Sequence, residues 1–485
     1  LFASNVLIAQ SITPSGSITA FTATYGSAAT EQTFTFTAAG LTATSPVTIT
    51  APTNFQVSLT SGSGFGSSVV VNTDGSGDVT PAVTIYVLMP SGINAGSVTG
   101  GNITLAEGAT NNTVAIPTST VNTKILTISG LTASNKVYNA TTAASLTGTA
   151  ALVGVETGDI PNVTLGGSAS ASFASASVGT GISVTVSGYT LSGSAAGNYS
   201  LTQPAGLTAD ITAKGLTISG LTADNKVYNA TTSATLTGTA ALVGVEAGDV
   251  SNVTLGGSAA ASFASAGVGT GVAVTVTGYS ISGTAATNYT LAQPTGLSAD
   301  ITAKGLTISG LTADNKVYNA TTAATLSGTA ALVGVEAGDV ANVTLGGTAV
   351  ASFATAGVGT GIAVSVTGYT ISGTAAANYT VAQPTGLTAD ITAKGLTISG
   401  LTADNKVYNA TTAATLTGTA ALVGVEAGDV ANVTLGGTAV ASFATATVGV
   451  AKPVTVTGYT ISGAAAGNYT VAQPTGLTAD ITPAA

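Results

Sequence analysis

Residues that could do chemistry return in this sequence at one fixed interval. The stretch KVYNATT occurs four times, and its lysines lie 90 residues apart at Lys136, Lys226, Lys316 and Lys406. In the third copy, Lys316 and Tyr318 could contact a ligand together. We favour a structural interpretation, in which the tyrosine is buried at a turn with its hydroxyl bonded and the lysine is solvated, because tyrosine commonly packs in this way.

Acidic residues are the second set of candidates. The third copy contains Asp314, Glu336, Asp339 and Asp390. Carboxylates are preferred ligands of calcium, so a calcium ion at the joints between modules is an open alternative. Because no dense D-x-D-x-D run occurs, we predict no metal site and no cofactor.

Asparagine supplies two further candidates. Asn378-Tyr379-Thr380 is one of several glycosylation sequons, but Asn and Thr are so frequent here that chance matches are expected. Lys316 and Asn378 could also form an intramolecular isopeptide bond beside Glu336 or Asp339, provided that the fold brings them together.

The composition excludes most catalytic chemistry. The chain has no Cys, His or Trp, and all nine basic residues are lysines. Without His or Cys there is no nucleophile–imidazole pair and no ordinary zinc site, so we predict that the protein is not an enzyme and has no catalytic residue.

Charge and hydrophobicity limit the partners. A net charge of −10 disfavours nucleic acid and anionic membrane surfaces, which attract Lys and Arg patches. No run of 18 apolar residues occurs, so we expect no membrane insertion. The remaining candidates are a homo-polymer or neighbouring surface proteins.

The 90-residue interval defines four repeats without insertions or deletions, at residues 124–213, 214–303, 304–393 and 394–485. Apolar residues alternate within them, as at Val343, Leu345, Ala351 and Phe353, and Gly368 shifts the parity as a bulge would. About seven short strands in 90 residues predict an all-β fold of tandem immunoglobulin-like β-sandwiches, each burying its own core. Solenoid repeats are shorter, and no flexible linker separates the copies, so we expect a linear rod.

The start of the chain differs from the repeats. Residues 11–123 also alternate in period two and predict another immunoglobulin-like β-sandwich. Residues 1–10 are apolar and have two interpretations: a signal-peptide remnant with processing near Ala9-Gln10, or a donor strand for a neighbouring subunit.

The repeats resemble a known family in the order of their motifs, KVYNATT, VGTGIAV, GYTISG, NYTVAQ and GLTADIT. They are similar to the YDG domain of large secreted bacterial proteins, including filamentous-haemagglutinin-like adhesins, although Tyr138-Asn139-Ala140 stands where the name implies Tyr-Asp-Gly. Residues 11–123 resemble immunoglobulin-like modules of bacterial surface proteins. The resemblance implies an extracellular scaffold without catalytic residues.

Three functions are compatible with these features of the sequence. A rod-like stalk or fibre at the bacterial cell surface, as part of an adhesin, is favoured. Its closest alternative is a self-assembling extracellular filament or sheath joined by strand donation. A glycan-binding surface module is the alternative from another class, although such sites usually present Trp, which this chain lacks.

Overall fold

The computed structural model describes residues 9–485, and 59% of the chain is strand while 6% is helical. The prediction of an all-β fold with tandem repeated units is confirmed. Alternating Val, Ile and Thr account for it, since branched side chains pack well on a pleated surface. The expectations for residues 1–8 of the apolar extension lie outside the described part. Among the described residues, no helix is long and apolar enough to cross a membrane.

The chain divides into two compact units, and the boundary falls inside the second repeat. The first unit contains the described chain up to Thr217 with Leu242–Gly256 and Ser280–Ala292. The second contains Ile218–Ala241, Gly257–Tyr279 and Gln293–Ala485.

Between residues 9 and 123, the described part of the N-terminal region has eleven strands: β1 (Ser11–Ser15), β2 (Thr22–Thr24), β3 (Gln32–Ala39), β4 (Pro46–Thr50), β5 (Gln56–Ser58), β6 (Ser68–Asn72), β7 (Val79–Leu88), β8 (Gly96–Val98), β9 (Gly101–Glu107), β10 (Thr110–Ile116) and β11 (Ser119–Asn122). They form sheets of order β1-β3-β7-β5, β10-β9-β4-β6 and β2-β11-β8. The inward residues, among them Phe34, Phe36, Ile49 and Leu105, make one core.

The first two repeats have seven strands each. In the first they are β12 (Lys124–Ala133), β13 (Lys136–Val137), β14 (Leu146–Val153), β15 (Thr164–Phe173), β16 (Gly179–Ser192), β17 (Tyr199–Leu201) and β18 (Leu207–Thr212). In the second they are β19 (Lys214–Ala223), β20 (Lys226–Val227), β21 (Leu236–Val243), β22 (Thr254–Phe263), β23 (Gly269–Ser282), β24 (Tyr289–Leu291) and β25 (Leu297–Thr302).

The last two repeats each gain one short strand. The third contains β26 (Lys304–Ala313), β27 (Lys316–Val317), β28 (Ala323–Ala324), β29 (Leu326–Val333), β30 (Thr344–Phe353), β31 (Gly359–Ser372), β32 (Tyr379–Val381) and β33 (Leu387–Thr392). The fourth contains β34 (Lys394–Ala403), β35 (Lys406–Val407), β36 (Ala413–Ala414), β37 (Leu416–Val423), β38 (Thr434–Phe443), β39 (Gly449–Ser462), β40 (Tyr469–Val471) and β41 (Thr478–Thr482).

Two short 3₁₀ helices occur in every repeat. They are Thr157–Asn162 and Ala196–Asn198, Ala247–Asp249 and Ala286–Asn288, Ala337–Asp339 and Ala376–Asn378, and Ala427–Asp429 and Ala466–Asn468.

The third repeat illustrates the topology. Its first strand, β26, pairs antiparallel with β29 and parallel with β32, which makes a three-stranded sheet. The other strands make a sheet of order β27-β33-β31-β30-β28. The first and last repeats have the corresponding two sheets. Each repeat therefore has one sheet at its beginning and another that carries the KVYN motif.

A bulge divides the longest strand pair, as the parity shift at Gly368 predicts. The register between β30 and β31 changes between Gly347 and Val350. Gly347 has φ +85° and Gly368 has φ +93°, and a Cβ on Gly347 would lie 2.1 Å from the Gly368 carbonyl oxygen. Only glycine tolerates this combination of left-handed backbone and close approach. Because of the bulge, β31 contributes residues to two apolar clusters, with Val364 in one and Ile371 beside the other.

The apolar clusters cross the repeat registers, so the expectation that each module buries its own core is wrong. In one cluster Phe353, Val364 and Ile391 of the third repeat pack with Leu396 and Val433 of the fourth. Equivalent clusters join the first repeat to the second within the first compact unit, and the second to the third within the second unit. The final sheet of one repeat and the first sheet of the next thus share a core.

Substituting Gly347 by Ala should destabilise the third repeat by roughly 2–3 kcal/mol, because the side chain combines backbone strain with a clash. The neighbouring Gly346→Ala is the matched control. Its Cβ would lie 3.7 Å from Thr370 Oγ1, an ordinary contact, and it should be close to neutral. Urea unfolding measures both, and equal effects would contradict the assignment of the bulge.

Candidate functional site: the joint between repeats

Each repeat begins with a face built by two 3₁₀ turns, which we call its near face. In the third repeat the turn Ala337–Asp339 follows Glu336, whose backbone oxygen accepts from the Asp339 amide at 2.9 Å. The second turn ends at Asn378 and places Tyr379 at the start of β32. The sequence therefore presents a carboxylate, an amide and a phenol at one end of the repeat.

The preceding repeat meets this face with the tyrosine of its KVYN motif, on what we call its far face. Tyr228 Oη donates to Asp339 Oδ2 at 2.7 Å, and Tyr379 Oη donates to the same oxygen at 2.7 Å. The two rings meet edge to face, with centroids 5.2 Å apart and planes at 79°. Both tyrosines are only 5% exposed. One carboxylate oxygen thus holds a tyrosine from each of two repeats.

Two further polar contacts orient the joint. The Val268 amide of the second repeat donates to Asn378 Oδ1 at 2.9 Å. On the near face, the Glu336 amide donates to Tyr379 Oη at 3.1 Å, and the Glu336 carboxylate forms an ion pair with Lys304. Tyr379 therefore accepts one hydrogen bond and donates another, which fixes its hydroxyl in the direction that Asp339 requires.

The same cluster occurs at every joint. Its members are Tyr25, Asp159 and Tyr199; Tyr138, Asp249 and Tyr289; Tyr228, Asp339 and Tyr379; and Tyr318, Asp429 and Tyr469. All donor–acceptor distances lie between 2.6 and 2.8 Å. The N-terminal region has no KVYN motif, yet its Tyr25 fills the same place. A tyrosine at this position therefore forms the joint whether or not the KVYN motif surrounds it.

Burial and the shared carboxylate change the acidity of the joint tyrosines. Burial, followed by the hydrogen bond to Asp339, raises the pKa of Tyr228 to about 12, and the same two causes raise the pKa of Tyr379 to about 12. Ionising either phenol would place a second negative charge beside the carboxylate in a poorly solvated site. The tyrosines therefore act as hydrogen-bond donors throughout the neutral range.

Tyr318 and Lys316 occupy different environments. Tyr318 is buried at a joint, where its hydroxyl donates to Asp429 Oδ2 at 2.7 Å. Lys316 Nζ donates to Asn319 Oδ1 at 3.0 Å and to the Ala323 carbonyl at 2.9 Å, and it lies 5.1 Å from the centre of the Phe353 ring. Burial lowers its pKa. The lysine thus holds the loop after its own strand and is not simply solvated.

The loop that Lys316 holds contains the positions that name the family. Asn319 Oδ1 accepts from the Thr321 amide at 3.2 Å, which closes a short turn. Ala320 has φ +57°, and its counterparts in the other repeats also have positive φ. Glycine adopts this left-handed conformation without strain. A Tyr-Asp-Gly triplet would therefore fit the same turn, with Asp replacing Asn as the acceptor.

The four acids of the third repeat do not gather into one calcium-binding group. Glu336 and Asp339 belong to the near face, whereas Asp390 Oδ1 accepts from the Gly361 amide at 2.7 Å. Asp314 lies just beyond β26, and its amide donates to the Thr325 carbonyl. Within residues 9–485, no three residues among His, Cys, Asp and Glu are grouped to hold a metal ion.

The isopeptide hypothesis requires Lys316 and Asn378 together, and the fold separates their contacts. Lys316 bonds to Asn319 in its own turn, whereas Asn378 Oδ1 accepts from Val268 of the preceding repeat. The sequon at Asn378 is likewise used by the joint, which disfavours a glycan there. Both residues have structural roles in this arrangement.

Sequence reasoning missed Asp339 as the acceptor for two tyrosines. Tyr228 and Asp339 lie 111 residues apart, more than one repeat, so no spacing within a single copy relates them. The available signal was that the Asp of the E-x-G-D stretch returns with the same 90-residue period as the tyrosines. It marks the acid as part of the scaffold without identifying its partner.

The fold and these joints define a class: a tandem-repeat β-protein whose successive repeats share cores and buried tyrosine–carboxylate clusters. The YDG domain family matches residues 122–206, 212–296, 302–386 and 392–476, most of the chain. The protein therefore belongs to the YDG domain family, as the motifs predict. The matched segments begin two residues before the registers read from the sequence.

Comparison with solved structures gives only distant similarity. No curated protein matches the sequence. A chain from a study of host cell surface retention of a 1.5-MDa bacterial ice-binding adhesin is 12% identical to this protein. That alignment covers 54% of this chain and 81% of the other, with a TM-score of 0.14.

Replacing Asp339 by Ala should destabilise the joint between the second and third repeats by roughly 2–3 kcal/mol, because two buried hydroxyls lose their charged acceptor. Asp339→Asn should cost about half as much, since neutral hydrogen bonds are weaker than charge-assisted ones. Asp314→Asn removes the same charge outside the joint and serves as the control. Urea unfolding of the full chain measures all three, and equal losses in Asp339→Ala and the control would contradict the assignment.

High pH should weaken the joints in a defined window. At the joint between the second and third repeats, Tyr228 and Tyr379 have pKa values raised from the ordinary 10.0 to about 12 on folding, so folding retains protons. The stability that they contribute is complete below about pH 10 and is lost as the pH rises through about 12. A phenolate absorbance titration, run beside circular dichroism, measures this. If the joint tyrosines ionised near pH 10 with the sheets intact, the proposed burial would be wrong.

Proposed function

We propose that this protein is a structural, extracellular repeat protein of the bacterial cell surface. In this proposal its repeats form a rod-like stalk of an adhesin, and its modules are immunoglobulin-like β-sandwiches in the broad sense. The YDG family assignment supports a surface repeat role.

The observation that carries the proposal is the repetition of one joint. The same Asp accepts from two tyrosines at four successive boundaries, and apolar residues of adjoining repeats share a cluster. No flexible linker separates the copies, because each ADITA segment passes within two residues into the next LTISGLT strand. A buried polar cluster fixes the orientation of two repeats as well as their contact, which is what a stiff stalk needs.

The side chains that could do chemistry have structural partners. The acids of the near face hold tyrosine or lysine, and the KVYN lysines bond to carbonyl oxygens of their own turns. These contacts return in each copy, as expected of a scaffold whose repeats do the same task. This supports a structural rather than a catalytic role.

Electron microscopy of in-register deletions tests the stalk. Deleting residues 304–393 places the near face of the fourth repeat after the second, so Tyr228 would meet Asp429 and the joint would form again. Particles of the full chain should be thin and elongated, and deletion of one or two repeats should shorten them by equal steps. Globular particles, or lengths that do not change with repeat number, would contradict the proposal.

The location is tested with the source bacterium. Antibodies against the repeats should label intact cells, and protease added outside should remove the label while a cytoplasmic marker survives. Labelling only after lysis would contradict a surface role. Long fibres of constant width in the purified material would instead favour the filament, with residues 1–10 as its joint.

A further inference from the structure

The last two repeats differ in a way that concentrates on one face. Residues 304–393 and 394–483 differ at ten positions. Five of them lie in a single seven-residue segment, where Thr447, Val450, Ala451, Lys452 and Pro453 replace Gly357, Thr360, Gly361, Ile362 and Ala363. Half of the differences therefore fall in one loop and the start of one strand.

That segment belongs to the far face in the third repeat. The Val358 amide donates to Asn468 Oδ1 of the fourth repeat at 2.9 Å. Ile362 packs against the cluster that contains Leu396 and Val433 of the fourth repeat. The first two repeats have Ile182 and Val272 at the same position, and each packs against the cluster of its own joint. An aliphatic side chain is thus common to the three far faces that meet another repeat.

The fourth repeat has a lysine at this position. Lys452 Nζ donates to the Thr445 carbonyl and to the Thr445 and Thr447 hydroxyls, each at 2.9 Å, and also to the Thr447 carbonyl. The ammonium therefore binds the loop that contains Thr445 and Thr447. In the third repeat, the aliphatic side chain of Ile362 packs against the apolar cluster of the joint instead. Eight of the nine lysines follow the 90-residue period, and Lys452 is the exception.

The turn at the start of the segment is kept, although Pro453 has no amide to donate. Ala451 has φ +51° where Gly361 has φ +59°, and its amide donates to Asp480 at 2.7 Å as the Gly361 amide does to Asp390. The loop keeps its shape at the cost of a left-handed alanine. The difference between the two faces therefore lies in the side chains and in the proline of this segment.

The tyrosine of the joint is still present on this altered face. Tyr408 is 43% exposed, whereas its counterparts Tyr138, Tyr228 and Tyr318 are each 5% exposed. A further near face could reach Tyr408, but if it packed as the internal ones do, its apolar cluster would lie against Lys452, as the cluster of the third joint lies against Ile362. Burying a charge without a charged partner is costly.

We infer that the far face of the fourth repeat does not bind a further YDG repeat in the geometry of the internal joints, and that the segment containing Lys452 determines this. A polar face in place of an apolar one is the usual way in which a repeat array stops extending. The face thus excludes a further repeat by an unfavourable charged residue, while it keeps the tyrosine that would favour binding.

Transferring the segment into the third repeat tests this in the full chain. The variant carries G357T, T360V, G361A, I362K and A363P. We expect the joint between the third and fourth repeats to open, so that Tyr469, with a pKa of about 12, ionises near pH 10 like a free tyrosine. Ile362→Val is the matched control, because the second repeat has valine there, and it should leave the titration unchanged. An unchanged titration in the five-fold variant would overturn the inference.

Adding a fifth repeat provides a second test that does not depend on disturbing an existing joint. A copy of residues 304–393 is fused after residue 483 of the native chain and of a chain with the reverse substitutions T447G, V450T, A451G, K452I and P453A. Hydroxyl-radical footprinting should find Tyr408 accessible in the first fusion and protected in the second. Protection in both fusions, or in neither, would overturn the inference.

Discussion

A carboxylate shared by two tyrosines is the interaction on which the arrangement of repeats depends. Each joint has one Asp oxygen that accepts from a tyrosine of the preceding module and from a tyrosine of its own. Hydrogen bonds to a charged acceptor are about twice as strong as neutral ones, and they are directional. Apolar contacts alone would permit sliding or rotation between two sheets. The cluster fixes one orientation, because both phenols must point at one atom.

The shared carboxylate also explains why the repeat in sequence differs from the packed unit in space. The cores join the final sheet of one repeat to the first sheet of the next, as Phe353 and Ile391 do with Leu396. A single repeat therefore ends in two incomplete surfaces. Stability in such a chain includes a term from each nearest-neighbour interface, and a change at one joint is felt by two repeats.

The sequence predicts much of the fold and little of the joint. Alternation at Val343, Leu345 and Phe353 predicts strands, and the parity shift at Gly368 predicts the bulge, because both depend on neighbouring residues. Tyr228 and Asp339 are 111 residues apart, and their contact depends on how two repeats meet. The role of Tyr25 was also hidden, since its surroundings lack the motif that marks the other tyrosines. The calcium and isopeptide alternatives included Glu336, Asp339 and Asn378, which the structure places in contact with Lys304, two tyrosines and the Val268 amide.

A double-mutant cycle between Tyr228→Phe and Asp339→Ala tests the importance of the shared carboxylate most directly. Urea unfolding of the native chain, the two single variants and the double variant gives the coupling free energy across the joint. We expect a coupling of about 1–2 kcal/mol, since the hydroxyl and the carboxylate stabilise the joint only together. Additive losses would show that the hydroxyl and the carboxylate act independently, and the apolar cluster would then hold the repeats together by itself.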